Sequence, residues 1–250
     1  MATGGRIAGV WVPYCGEAPA PAEWLARWNF DPLPIVLLLA GLVAWRLAGL
    51  HADRARTAAF GAGVALLAVL FVSPLCALTS ALFAARAAHH AVLVAAVAPL
   101  LALALPAAAQ LRGPLAAWTG LQAAVLWAWH YPPLYSEALS GDAVYWLMQA
   151  TLLGAAIAFW AAVRRSSVPA AVAALLATMV QMGLLGALIT FAGKPLYAPH
   201  LLTTAPWGLS PLEDQQLAGL IMWAPAAAVY LAAALLVAGR WLRGEVRSAA

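Results

Sequence analysis

Residues Ser210-Pro-Leu-Glu-Asp-Gln-Gln-Leu-Ala-Gly-Leu-Ile-Met-Trp223 open an apolar run that reaches Trp241 with no charge between Asp214 and Arg240. Ser210 is a favourable N-cap and Pro211 a favourable first helical residue. Glu213 stands three residues after Ser210, the spacing of a capping box. The stretch predicts a helix whose first turn, with Glu213, Asp214, Gln215 and Gln216, sits at a water edge. The rest enters a membrane, because a charge at mid-bilayer costs roughly 2.5–3.5 kcal/mol. Capping and the helix dipole account for Glu213. The cap does not need Asp214, which leaves that carboxylate open to other work.

Composition agrees with this reading. Of 250 residues, 65% are hydrophobic and 9% charged, against about 25% charged in a soluble domain. The expected class is all-α, a polytopic membrane helix bundle of about seven transmembrane helices. Spans of about 20 residues are read at 34–50, 58–78, 89–105, 115–130, 144–163, 169–191 and 211–241. Residues 1–33 form an amphipathic arm, with Trp11, Trp24 and Trp28 suited to the interface, and 242–250 a tail. No cleavable leader is expected. Glycines such as Gly183 and Gly186 predict close helix packing. Cys15 and Cys76 are too few and too far apart in sequence to imply a disulfide scaffold.

Nine of the 13 basic residues fall on one side of these spans if the N-terminus is outside. The positive-inside rule then gives an outer N-terminus and an inner C-terminus. Seven of the nine acids fall outside. No basic run or zinc-finger spacing points to nucleic acid, and no hydrolase or Walker signature points to an enzyme.

That topology sorts the polar and soft side chains. His89 and His90 open the third span on the outer side, His130 ends the fourth there, and His200 precedes the acidic turn; only His51 is inside. Met148 and Met222 lie in outer halves, and Met179 and Met182 deeper, three apart and so on one face. Imidazole with thioether suits copper, above all the reduced ion; imidazole with carboxylate suits zinc or oxidised copper. His89 and His90 are adjacent and point about 100° apart on a helix, so both cannot enter one pocket. Each residue also has a plain structural role: helix-end histidines bond carbonyls, and methionines fill cores. Two histidines at matching depth also suit a haem between spans.

Three stretches together resemble one family. His89-His90-Ala-Val-Leu-Val-Ala-Ala-Val-Ala-Pro99-Leu-Leu is similar to its third-span motif. Trp129-His130-Tyr131-Pro132-Pro133-Leu134-Tyr135 is similar to its Trp-His-x-Pro-x-Leu-Tyr motif, and Leu212 to Trp223 matches its most specific signature. The family is the CtaG-like cytochrome c oxidase assembly factors of caa(3)-type oxidases, and the likeness runs from about Trp28 to Trp241. One departure stands out: where the family pattern carries a histidine one turn before the position of His90, this chain has Arg86.

The resemblance implies a non-enzymatic, multi-pass plasma-membrane protein that helps build haem-copper oxidase, at the copper-insertion step. Its partners would be oxidase subunits, other copper chaperones and membrane lipids. The expected metal ligands are His90, His130, Asp214 and Met222, with His89 and Glu213 behind them. An inner-membrane copper transporter, a metal-free assembly scaffold and a haem-binding electron carrier are the alternatives.

Overall fold

The computed structural model describes residues 5–7, 10–50, 53–106 and 112–248. His51, read above as the inner histidine, lies outside them, as do most of the turn before Pro114 and the last two residues of the tail. Local chemistry starts the first two helices. Asp31 accepts from the Leu33 N–H (2.8 Å) ahead of α1 (Pro32–Leu47), and Asp53 accepts from Ala55 and Arg56 ahead of α2 (Arg54–Phe71).

The second expected span is cut short. Pro74 has no N–H to continue the ladder, and Ser73 turns its hydroxyl onto the Val69 carbonyl, so α2 ends at Phe71. A separate short helix, α3 (Leu75–Ala81), follows, and α4 (Phe83–Val92) starts six residues before His89. A π-helical turn, Leu93–Val97, joins α4 to α5 (Ala98–Ala104) where Pro99 interrupts the bonding. His89 and His90 therefore do not open this helix at the rim. They lie about 10 Å below its first residue at 1.5 Å per residue.

Then come α6 (Leu115–His130), α7 (Pro132–Ala138), α8 (Asp142–Arg165) and α9 (Val168–Thr190). The last rod comprises α10 (Pro211–Ile221), a π-turn Met222–Ala226 around Pro225, and α11 (Ala227–Ser248). The capping box stands as predicted: Glu213 N–H donates to Ser210 Oγ (3.2 Å) and Ser210 N–H to Glu213 Oε2 (2.7 Å). Among the described residues five helices are long and apolar enough to cross a membrane: Arg54–Phe71, Phe83–Ala104, Asp142–Arg165, Val168–Thr190 and Pro211–Gly244. The other two expected spans, α1 and α6, have 16 residues each. At about 24 Å they are shorter than a hydrocarbon core of about 30 Å.

Glycine sets the closest helix crossing. A Cβ on Gly186 of α9 would stand 2.7 Å from the Gly219 carbonyl oxygen and 2.8 Å from the Trp223 nitrogen of the last rod. One turn away on each side, Met182 and Met222 are carried into the same interior, and both are buried.

One end of the bundle is loop-rich. Cys15 and Cys76 are joined there as a disulfide that ties the N-terminal arm to α3, a single link that the sequence reading, which argued only against a disulfide scaffold, did not foresee. Their 61-residue separation hid a pairing that only the packing of the arm reveals. A short hairpin, β1 (Gly5–Ile7) with β2 (Val10–Val12), begins the arm. Trp11 Nε1 donates to Ser140 Oγ (3.1 Å), Trp24 meets Trp207 edge-on, and Trp28 stays exposed. Trp207 Nε1 donates to the Pro19 carbonyl and Asn29 Nδ2 to the Phe71 carbonyl. The opposite end holds a separate small core, in which Trp45 stacks on Phe60 and packs with Ala59 and Ala104.

Candidate metal centre

Four side chains from four helical segments meet at one small cavity. His90 comes from α4, His130 from the last residue of α6, Met182 from α9, and Met222 from the π-turn below α10. Ala87, Ala91, Val94 and Leu126 complete the wall, and the space is about 10 Å³, the scale of one water or one ion. The two π-turns lie directly beside it. Prolines at 99 and 225 are the sequence signal for these widened turns, which often occur at functional sites.

The imidazoles have the right exposure of lone pairs. His130 Nδ1 lies 2.7 Å from the Leu126 carbonyl oxygen. A carbonyl only accepts, so Nδ1 carries the proton and Nε2 keeps a lone pair. His90 is 2% exposed, and neither ring nitrogen has a hydrogen-bond partner. The two ring centroids stand 5.6 Å apart at 82°. Metal–nitrogen bonds of about 2 Å place the centroids of two imidazoles that share an ion roughly 5–6.5 Å apart, so the observed spacing fits. Two neutral imidazoles and two thioethers form a soft donor set without an anion. Among the described residues no group of three or more His, Cys, Asp or Glu side chains is arranged to hold a metal; here the thioethers would complete the set.

The structure thus brings together His90, His130 and Met222 and adds Met182. Met179, three residues earlier, instead lines a groove with Val180, Gly183 and Trp223. A sequence pattern puts both methionines on one broad face, and only the Gly186–Gly219 crossing decides which of them points inward.

The other expected ligands sit elsewhere. Asp214 is fully buried, and its two oxygens accept from the Phe83 N–H (2.7 Å) and Ala84 N–H (3.1 Å). It caps α4 from a different helix, which is why α4 begins earlier than local sequence suggests. Glu213 stays in the capping box at the surface. His89 turns edge-on to Phe71 (5.0 Å), with both ring nitrogens unpartnered. Gln215 donates to the Ile189 and Lys194 carbonyls and accepts from the Leu196 N–H, holding the loop before α10.

His200 is bonded on both sides. Tyr135 Oη lies 2.6 Å from its Nε2, and its Nδ1 faces the Ala81 carbonyl at 3.4 Å. Burial, reinforced by the Arg86 charge and opposed by the Ala81 carbonyl, holds this imidazole down to about 3. Burial likewise raises the Tyr135 phenol above its ordinary range. Tyr197 Oη donates to the His130 carbonyl (2.8 Å) and stacks on Phe83 at 3.7 Å, so the loop-rich end closes over the cavity.

The family model described as cytochrome c oxidase caa3 assembly factor matches residues 36–244. No curated protein and no solved structure matches the chain.

Proposed function

The chain belongs to the cytochrome c oxidase caa3 assembly factor family, and we propose that its own part in assembly is to carry one copper ion to the oxidase. The ion would rest in the cavity between His90, His130, Met182 and Met222 as cargo, not as a resident cofactor. One observation carries this reading: neutral nitrogen and sulfur donors from separate helices line a small, ion-sized space, and His90 has no hydrogen-bond partner. Soft, uncharged donors hold reduced copper and release it to a stronger acceptor, which suits delivery.

In the proposed topology α1 and α6 complete seven spans, with the N-terminus outside and the C-terminus in the cytoplasm of a bacterial plasma membrane. The Cys15–Cys76 disulfide supports an outer position for the loop-rich end, because such bonds persist outside the cytoplasm. Arg164 and Arg165 at the end of α8, and Arg240 and Arg243 in α11, then lie on the inner side, as the positive-inside rule requires. Delivery would occur at the outer face, to a haem-copper oxidase subunit. Asp214, His89 and Glu213 would serve the frame of the site without ligating the ion.

The test is copper content. The full chain is purified in detergent, loaded with copper under reducing conditions, dialysed and measured by mass spectrometry. The wild type is expected to hold about one equivalent, and a His90→Ala, His130→Ala double variant none. Equal copper in both would remove the ligand assignment and leave a metal-free scaffold as the better reading.

A further inference from the structure

Arg86 is a fully buried cation on the helix that carries the cavity-lining His90. It lies four residues before His90 on α4 and so on the same helix face. None of its surface is exposed. Nη2 donates to the Thr79 carbonyl (3.3 Å), and the guanidinium carbon stands 5.3 Å from the centre of the Tyr145 ring. Nε and Nη1 have no hydrogen-bond partner.

No carboxylate answers this cation among the described residues. The nearby acid, Asp214, has its two oxygens on the Phe83 and Ala84 N–H groups. The described ion pair, Arg56 with Asp53, lies at the surface. The guanidinium belongs to a residue one helical turn from His90 and has no ion pair among the described residues. The groups lining the cavity are all neutral.

We infer that Arg86 makes this cavity selective for a singly charged soft cation, Cu(I) or Ag(I), and excludes divalent ions. The inference rests on the metal reading above. Repulsion from a fixed positive charge doubles when the incoming ion goes from one charge to two, and the desolvation penalty rises with the square of the ion's charge. The donors choose soft over hard; Arg86 chooses one charge over two. The two filters are separable, because removing the guanidinium leaves the donors in place.

The measurement is competition between Ag(I) and Zn(II) for the purified full chain, by equilibrium dialysis and mass spectrometry. Both ions are redox-inert under these conditions, so the ratio reports charge selectivity and not reduction. Wild type and Arg86→Lys, which keeps the charge, are expected to take Ag(I) and leave Zn(II). Arg86→Met is expected to raise Zn(II) affinity relative to Ag(I) by at least about tenfold, the usual effect of removing one nearby charge.

Gln149→Glu gives a second route should Arg86→Met fail to fold. Gln149 and Arg86 both lie by Tyr145, so a carboxylate at position 149 would offset the guanidinium without removing it, with the same expected gain in Zn(II). An unchanged Ag:Zn ratio in the folded variants overturns the role of Arg86 while the metal site stands. A wild type that binds neither ion overturns both.

Discussion

His200 and His90 are both about 2% exposed and lie on neighbouring elements, yet their surroundings are opposite. His200 has a bond to each ring nitrogen, and the residues around it are similarly engaged: Thr203 Oγ1 donates to the Ala81 carbonyl (2.6 Å) and Tyr197 Oη to the His130 carbonyl. His90 has none. A buried polar group without a partner costs roughly 1–3 kcal/mol, so it persists where something else is gained. On the proposed reading the loop-rich end is architecture, and the cavity beneath it is where the ion would sit. The difference predicts that the two regions respond separately to change, one in stability and the other in ligand binding.

The largest effect falls on the architectural side. Opening the Cys15–Cys76 link frees a 61-residue separation and should lower stability by about 4 kcal/mol on the chain-entropy account. Thermal unfolding in detergent, comparing Cys15→Ser with Cys76→Ser and with the reduced wild type, measures it. Silver binding should survive, because neither sulfur lines the cavity. Loss of binding in step with loss of the disulfide would join the two regions into one.

Next comes a paired substitution. His200→Ala leaves the Tyr135 hydroxyl without its 2.6 Å partner and should destabilise by about 2 kcal/mol with metal binding retained. His90→Ala removes two unpartnered nitrogens and should change metal-free stability by less than about 1 kcal/mol, net of the small void it leaves. It should abolish metal binding. The contrast is read from unfolding midpoints and silver content on the same samples. His200→Ala losing the ion, or His90→Ala losing stability as His200→Ala does, would break the division.

How much of this division can be read from sequence follows from how local each interaction is. The Ser210–Glu213 capping box is contained in four residues, and it stands as read. Three of the four cavity donors lie in or beside stretches with a family motif, and they were legible as candidates although not as neighbours. What was hidden is non-local. The start of α4 is set by Asp214, 131 residues from Phe83, so the depth of His89 and His90 could not be read from the residues around them. The break at Pro74 was legible in principle, since a proline inside a helix removes a hydrogen bond and clashes with the preceding turn. Met182 and Met179 look alike in a helical pattern, and only contact between Gly186 and Gly219 separates them.

The smallest effect is a pH slope, and its sign follows from His200. Above about pH 6.5 the imidazole is neutral in both folded and unfolded chains, so it adds nothing to pH dependence. Below that, the unfolded chain takes a proton that the folded protein refuses until about pH 3, because burial and the neighbouring Arg86 charge disfavour the imidazolium. Stability should therefore fall with decreasing pH, by about 1.4 kcal/mol per unit for this one group, and level off near pH 3. His200→Gln removes the titrating ring, so its unfolding midpoint between pH 6.0 and 4.5 should fall less steeply than that of the wild type by the equivalent of one proton. Parallel slopes would mean that the folded protein does protonate His200, and that burial and the Arg86 charge do not exclude the imidazolium.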